Sequence, residues 1–150
     1  MLECYSTLVG EEMLYFVRHC ATDWNDHLNA KGEKDPMCQG KVDISLNEHG
    51  IEQARYMANQ IHDIKFDRVI CSPLGRARQT CDLIYHGSVH VEIRSEIEER
   101  DFGEYEGMLR SEFDFYGFWN NKSEQKFQKA ESLEHLIKRV FTFLDELNRC

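Results

Sequence analysis

The 150-residue chain has no apolar stretch of membrane-spanning length, which excludes a transmembrane helix. Residues 1–12 lack both a basic start and a sufficient apolar run, so no signal peptide is expected and a cytoplasmic location is. Positive charge is scarce. Lys and Arg number 18 against 27 Asp and Glu, a net charge of -9, which argues against nucleic acid and membrane surfaces as partners. The six cysteines, at positions 4, 20, 38, 71, 81 and 150, form no CxxC pair, and no His stands at zinc-finger spacing. They are expected to be reduced, mostly buried thiols. There is no internal repeat and no low-complexity tract. What remains is an ordinary globular composition, 41% hydrophobic and 30% charged, at a length suited to one domain spanning 1–150.

The chain is organised around Met13–Asn25. Met-Leu-Tyr-Phe-Val is a continuous apolar run without polar alternation, which predicts a strand buried on both faces in a parallel sheet. At its end the sequence turns polar, with Arg18 and His19 adjacent and Thr22, Asp23 and Asn25 following. Carboxyl ends of parallel strands collect ligands in open α/β sheets. An Arg there offers a planar fork for phosphate or carboxylate, and a His offers a nucleophile or proton-transfer group near neutral pH. The same residues also read as a solvated Arg-His pair capping a strand, and this stretch alone does not separate the two. Cys20 could be a reactive thiol in a basic site. A cysteine-dependent phosphatase, however, needs an Arg six residues after its Cys, and Asp26 stands there.

Residues 26–47, with Gly32, Asp35-Pro36 and Gly40, predict an irregular connection. Ile51, Ala54, Met57, Ala58 and Ile61 predict a helix from Glu48, and Phe66–Cys71 a second strand. Ser72-Pro73 predicts an N-cap and first position of a helix carrying Leu74, Ala77, Cys81 and Ile84 on one face. Arg76, in its first turn, is predicted to point into the same crevice as Arg18, and Arg78 to be solvated. Val89, Val91 and Ile93 predict a short peripheral strand. The alternation of strands and helices favours an α/β layered fold. The acidic run from Ile97 to Gly107 holds carboxylates that could protonate a leaving oxygen, although by itself it is only a dense acidic loop.

Together the motifs resemble the histidine phosphatase superfamily, which includes the cofactor-dependent phosphoglycerate mutases. The resemblance runs from residue 13 through Arg18-His19 with Asn25, Gln39-Gly40 with Asp43 and Leu46, and Gly50-x-x-Gln53-Ala54. It continues through Ser72-x-x-x-Arg76-Ala77-x-Gln79-Thr80, Glu99-x-x-Phe102-Gly103-x-x-Glu106-Gly107, and Glu131-Ser132 opening the last large helix. It implies a three-layer phosphoglycerate mutase-like α/β fold with a mainly parallel central sheet. It also implies that His19 attacks phosphorus and carries a phosphohistidine, that Arg18 and Arg76 bind the transferring oxygens, and that Glu99 serves the leaving oxygen. Asn25, Gln39 and Gly40 match substrate-contacting positions. No metal, nucleotide or other cofactor is implied, and the sequence has no P-loop.

Two departures stand out. Cys20 replaces the glycine of the family's Arg-His-Gly, a position read here as tolerating a small side chain. The family's second catalytic His, in a Ser-His-Gly at the end of a later central strand, has no counterpart before Cys150. The domain is therefore expected to lack its final central strand, beside Met13–Val17, leaving a sheet edge through which copies of the chain could associate. The aromatics between Met108 and Ala130 are expected mainly to pack, with some covering the site. The short cover and the Phe-Gly-x-x-Glu-Gly form resemble the superfamily's phosphatases more than its mutases. The implied activity is hydrolysis of a small phosphorylated metabolite. The alternatives are a phosphoglycerate mutase and a catalytically impaired anion-binding member.

Overall fold

A computed structural model of the chain describes residues 4–9, 12–120 and 129–147. Its elements in order are β1 (Cys4–Val9), β2 (Glu12–Val17), α1 (Glu48–Ile61), β3 (Val69–Cys71), α2 (Gly75–Ile84), β4 (Val91–Ile93), α3 (Phe115–Asn120) and α4 (Leu133–Leu147). One-turn 3₁₀ segments at Ser95–Ile97, Gly103–Tyr105 and Arg110–Glu112 join β4 to α3. The predicted irregular connection holds: residues 26–47 carry only two isolated bridges, Leu28 to Lys34 and Met37 to Leu109.

Among the described residues the strands form two small sheets. β3 and β4 are parallel, with Val69 opposite Val91 and Cys71 opposite Ile93. β2 is antiparallel to β1, from Cys4 opposite Val17 to Val9 opposite Glu12. This corrects the expectation for β2, which is neither paired in a parallel ladder nor buried on both faces. Met13 is 50% exposed and Phe16 48%. An apolar run states what a strand could bury, not whether another layer covers it. The β1 strand has no counterpart among the sequence expectations.

Helix α1 begins where predicted, capped by Asn47, whose side chain accepts from Gly50 N at 2.8 Å. It buries Gly50, Ala54, Met57 and Ile61. Gly50 is required by close approach, because a Cβ there would collide with the carbonyl of Ala21. Helix α2 starts two residues later than Ser72-Pro73 suggests, with Leu74 at the N-cap. Its fully buried residues are Arg76 and Thr80 rather than the apolar set, and Arg78 is exposed as expected. Helix α4 starts directly after Glu131-Ser132, where the resemblance opens the last large helix, with the Ser132 hydroxyl accepting from His135 N at 3.1 Å.

Two apolar clusters hold these pieces. Cys20, Leu46 and Ala54 pack with Ile51, Leu83 and Ile84 between α1 and α2. Cys38, Phe102, Tyr105 and Phe118 form the second, flanked by Met108, Phe113, Phe115 and Trp119. Most of the aromatic run 113–119 is thus packing, as expected, although Tyr116 is 79% exposed. Arg100 is buried within this cluster. Its guanidinium lies 3.5 Å from the Phe118 ring centroid and donates to Phe118 O and Glu131 O, both at 2.8 Å. Glu131 in turn holds Arg139 through Nε at 2.7 Å and Nη2 at 2.8 Å, which ties the start of α4 to its own second turn.

Candidate active site

The segment after β2 leaves the sheet and is fixed by side chains from both long helices. Cys20 N donates to Thr80 Oγ1 at 3.0 Å, and that hydroxyl donates to Arg76 O at 2.8 Å. Ala21 N donates to Gln53 Oε1 at 2.9 Å, and Asn47 N donates to Ala21 O at 3.1 Å. Asn25 closes the turn, its Oδ1 accepting from Thr22 N and from the Thr22 hydroxyl, each at 3.1 Å. A loop whose amides are taken up this way holds its side chains rigidly.

His19 sits on this segment, half-buried. Its Nδ1 lies 2.8 Å from Cys20 O. A carbonyl only accepts, so Nδ1 carries the proton and Nε2 keeps its lone pair. Burial, and after it the charges of Arg76 and Arg18, push the imidazole pKa from 6.5 to about 4, against the opposing pull of the Cys20 hydrogen bond. At neutral pH the ring is therefore uncharged. Cys20 is buried and its thiol is pushed above the ordinary value by desolvation, the opposite of what a reactive cysteine needs. Among the described residues the non-glycine residue with positive φ is Lys129, so Cys20 occupies its position without backbone strain.

His19 opens onto a cleft of about 240 Å³, lined also by Arg18, Ala21, Asn25, Asp26, Lys34, Pro36, His49, Gln53 and Arg110. Three permanent cations and one carboxylate line it, so the cleft is locally basic within an acidic chain. The carboxylate is already engaged: Asp26 accepts from Asn47 Nδ2 at 3.1 Å and Lys34 Nζ at 3.3 Å, and meets His49 Nδ1 at 2.9 Å.

Of the sequence-predicted residues, Arg18, His19 and Asn25 line this cleft, and Arg76, Gln39, Gly40 and Glu99 do not. Arg76 is 1% exposed and close enough to His19 to depress its pKa. Its fork donates to Gly40 O at 2.6 Å and Val42 O at 3.0 Å, while Nε is buried without a hydrogen-bond partner. Desolvation lowers the Arg76 pKa, and Glu99 is the largest of the charges opposing that shift. Gly40 has φ +54°, and a Cβ there would strike the Glu106 carboxylate, which accepts from Lys41 N at 2.7 Å. Gln39 is buried, with Oε1 unpartnered. Glu99 Oε1 accepts from Arg100 N at 3.1 Å.

Gln53, Gln79 and Thr80 stand inside the sequence motifs, but the motifs do not say what they do. Gln79 Oε1 accepts from Leu46 N at 2.8 Å, as Gln53 and Thr80 hold the loop after β2. Those three were legible only as members of the motifs. Lys34, His49 and Arg110 had no such signal, since loop closure alone brings them to the cleft. Among the described residues no group of three His, Cys, Asp or Glu converges as metal ligands. No described helix is long and apolar enough to cross a membrane.

This arrangement has known counterparts. Residues 14–150 match the Histidine phosphatase superfamily (branch 1). The uncharacterized phosphatase PhoE of Bacillus subtilis is 35% identical over 135 residues, covering 89% of this chain and 63% of that protein. The α-ribazole phosphatase of Shigella flexneri superposes with a TM-score of 0.70 at 27% identity, over 87% of this chain and 64% of that one. A phosphoglycerate mutase from Thermus thermophilus gives 0.65 at 27% identity, over 85% and 68%. The chain spans less than two thirds of the length of the first two. Its α/β architecture is phosphoglycerate mutase-like, and with a neutral histidine following β2 and the family match over nearly all its length, the chain belongs to the histidine phosphatase superfamily.

Proposed function

We propose that the chain is a phosphomonoesterase that hydrolyses a small phosphorylated metabolite through a phosphohistidine on His19. The observation that carries this reading is the fixed, neutral imidazole at the cleft, with Nδ1 given to Cys20 O and Nε2 left for attack. Nε2 bonds to phosphorus as the bond to the ester oxygen breaks, and that oxygen takes a proton from an acid, assigned to Glu99. Water then attacks the phosphohistidine and gives its proton to the carboxylate left by the first step, and the P–N bond breaks to release phosphate and restore the imidazole. Arg18 stabilises the transferring oxygens directly. Arg76 contributes a fixed buried charge beside the nucleophile. Asn25 lines the substrate side, and Gly40 acts from behind the cleft through its carbonyl on Arg76. The relatives named as phosphatases support this reading over a mutase, which would return the phosphoryl group to a second position of the substrate instead of to water.

Hydrolysis of phenyl phosphate tests it. His19→Asn should lower phosphate release by at least about 10³-fold and abolish acid-labile labelling of the chain, as loss of a nucleophile does elsewhere. Cys20→Ser should keep most of the activity, because its thiol is held protonated. The reverse pattern, with His19→Asn active and Cys20→Ser dead, would reassign the nucleophile. One observation favours a second reading, an anion-binding protein without turnover: the Arg76 fork is already occupied by the Gly40 and Val42 carbonyls. Phosphate binding with neither release nor labelling would select that reading.

A further inference from the structure

Asp26, His49 and Gln53 line the same cleft as His19, and the phosphoryl transfer proposed above gives none of them a part. Their contacts run as a chain. Gln53 Oε1 accepts from Ala21 N at 2.9 Å, which fixes that amide with its Nε2 facing His49 Nε2 at 3.1 Å. An amide nitrogen only donates, so His49 Nε2 accepts and the ring proton lies on Nδ1. That N–H meets Asp26 Oδ2 at 2.9 Å. Desolvation works against the Asp26 charge, but hydrogen bonds from His49, Asn47 and Lys34 outweigh it and hold the carboxyl below its ordinary value. Asp26 therefore accepts on both oxygens, as the chain requires.

Ala21 and Asp26 bracket the turn that follows His19, and His49 stands between them in the first turn of α1. The helix start is packed directly on that turn, since a Cβ on the neighbouring Gly50 would strike the Ala21 carbonyl. We infer that His49 is a positioning residue, which ties both ends of the nucleophile loop to α1 through Gln53 and Asp26 and so keeps His19 aimed at phosphorus. The donors all run one way, from Ala21 to Gln53 to His49 to Asp26. Only a ring that accepts at Nε2 and donates at Nδ1 completes that run. This deepens the phosphatase reading and rests on it for the effect on turnover alone.

Nitrogen NMR of the full chain in mildly alkaline buffer tests the tautomer, and should show the His49 ring protonated at Nδ1 and bare at Nε2. His49→Leu breaks both links. It should speed hydrogen exchange at the Ala21 amide by about two- to tenfold, the range of one net hydrogen bond. The Leu46 amide, held by Gln79 outside the chain, should not change, which separates loss of positioning from loss of stability. With phenyl phosphate, kcat should fall by a similar factor and KM stay the same. His49→Asn still reaches Asp26 but presents nothing at the Nε2 position, and should behave like His49→Leu. A ring protonated at Nε2, an Ala21 amide indifferent to both variants, an unchanged kcat, or wild-type behaviour of His49→Asn would each overturn the inference. The wild-type tautomer and His49→Asn still decide if His49→Leu does not fold. The expected tautomer and exchange pattern in a chain that releases no phosphate would sink the phosphatase reading and keep the tie from His49 to the loop. Release with Ala21 exchange unmoved would do the opposite.

Discussion

His19 shows how one residue's chemistry is set by its surroundings. A histidine in water is half protonated near pH 6.5, and a protonated ring cannot attack phosphorus. Burial removes that competition here. Proton NMR of the ring should therefore show a midpoint near 4, with the ring neutral throughout the physiological range. The sign for stability follows from linkage. The unfolded chain binds this proton from about pH 6.5 downward and the folded chain only near 4, so the fold loses stability as pH falls through that window and gains nothing above it. A titration midpoint near 6.5 would mean the ring is solvated, and the nucleophile would lose its preparation. The identity of His19 was legible from Arg18-His19 only together with the motifs that follow it along the chain. The tautomer was not, because it depends on the Cys20 carbonyl turning back onto its own neighbour.

At the scale of elements, helix α2 does more for the site than its apolar residues suggest. Thr80 accepts from Cys20 N and donates to Arg76 O, so one hydroxyl joins the nucleophile loop to the helix that carries the buried arginine. Thr80→Val preserves shape but leaves the Cys20 N–H buried and unpaired, a cost of about 1–3 kcal/mol in unfolding free energy. Thr80→Ser should recover most of it. Urea unfolding of the two variants checks this, and equal stability of Val and Thr would remove the hydroxyl from the account. Helix α1 was legible from its apolar spacing and α4 from the Glu131-Ser132 that opens it, and their caps, Asn47 and Ser132, are good hydrogen-bond acceptors. The loop 26–47 was legible only as irregular. Its course is set by partners distant in sequence, such as Arg76 on Gly40 O and Glu106 on Lys41 N, which no local pattern contains. Arg110 belongs to the same class, reaching the cleft through the Pro36 contact.

For the whole molecule, the apolar run around which the sequence is organised is a prominent exposed apolar feature of the structure. Met13, Tyr15, Phe16 and Val17 on β2 are between 37% and 50% exposed. Tyr15 meets the Phe66 ring edge-on at 5.5 Å, so that side chain is partly sheltered, but Met13 and Phe16 are not. Among the described residues β2 is paired on one edge by β1 alone. An apolar strand with an open edge is a template for another chain, and burying a Phe contributes roughly 1.5–3 kcal/mol. The acidic net charge opposes close approach of two copies, but salt screens it beyond ~8 Å at physiological ionic strength. We therefore propose association of copies through β2, and expect it to strengthen with salt. Sedimentation velocity across a concentration series should show a monomer–oligomer equilibrium that shifts toward oligomer between low and physiological salt. Phe16→Lys places a charge on the strand and should move the chain toward monomer while leaving α1 and α2, which do not depend on that face, folded by circular dichroism. A wild-type chain that stays monomeric at every concentration and salt would show that the exposed β2 face does not recruit a second copy.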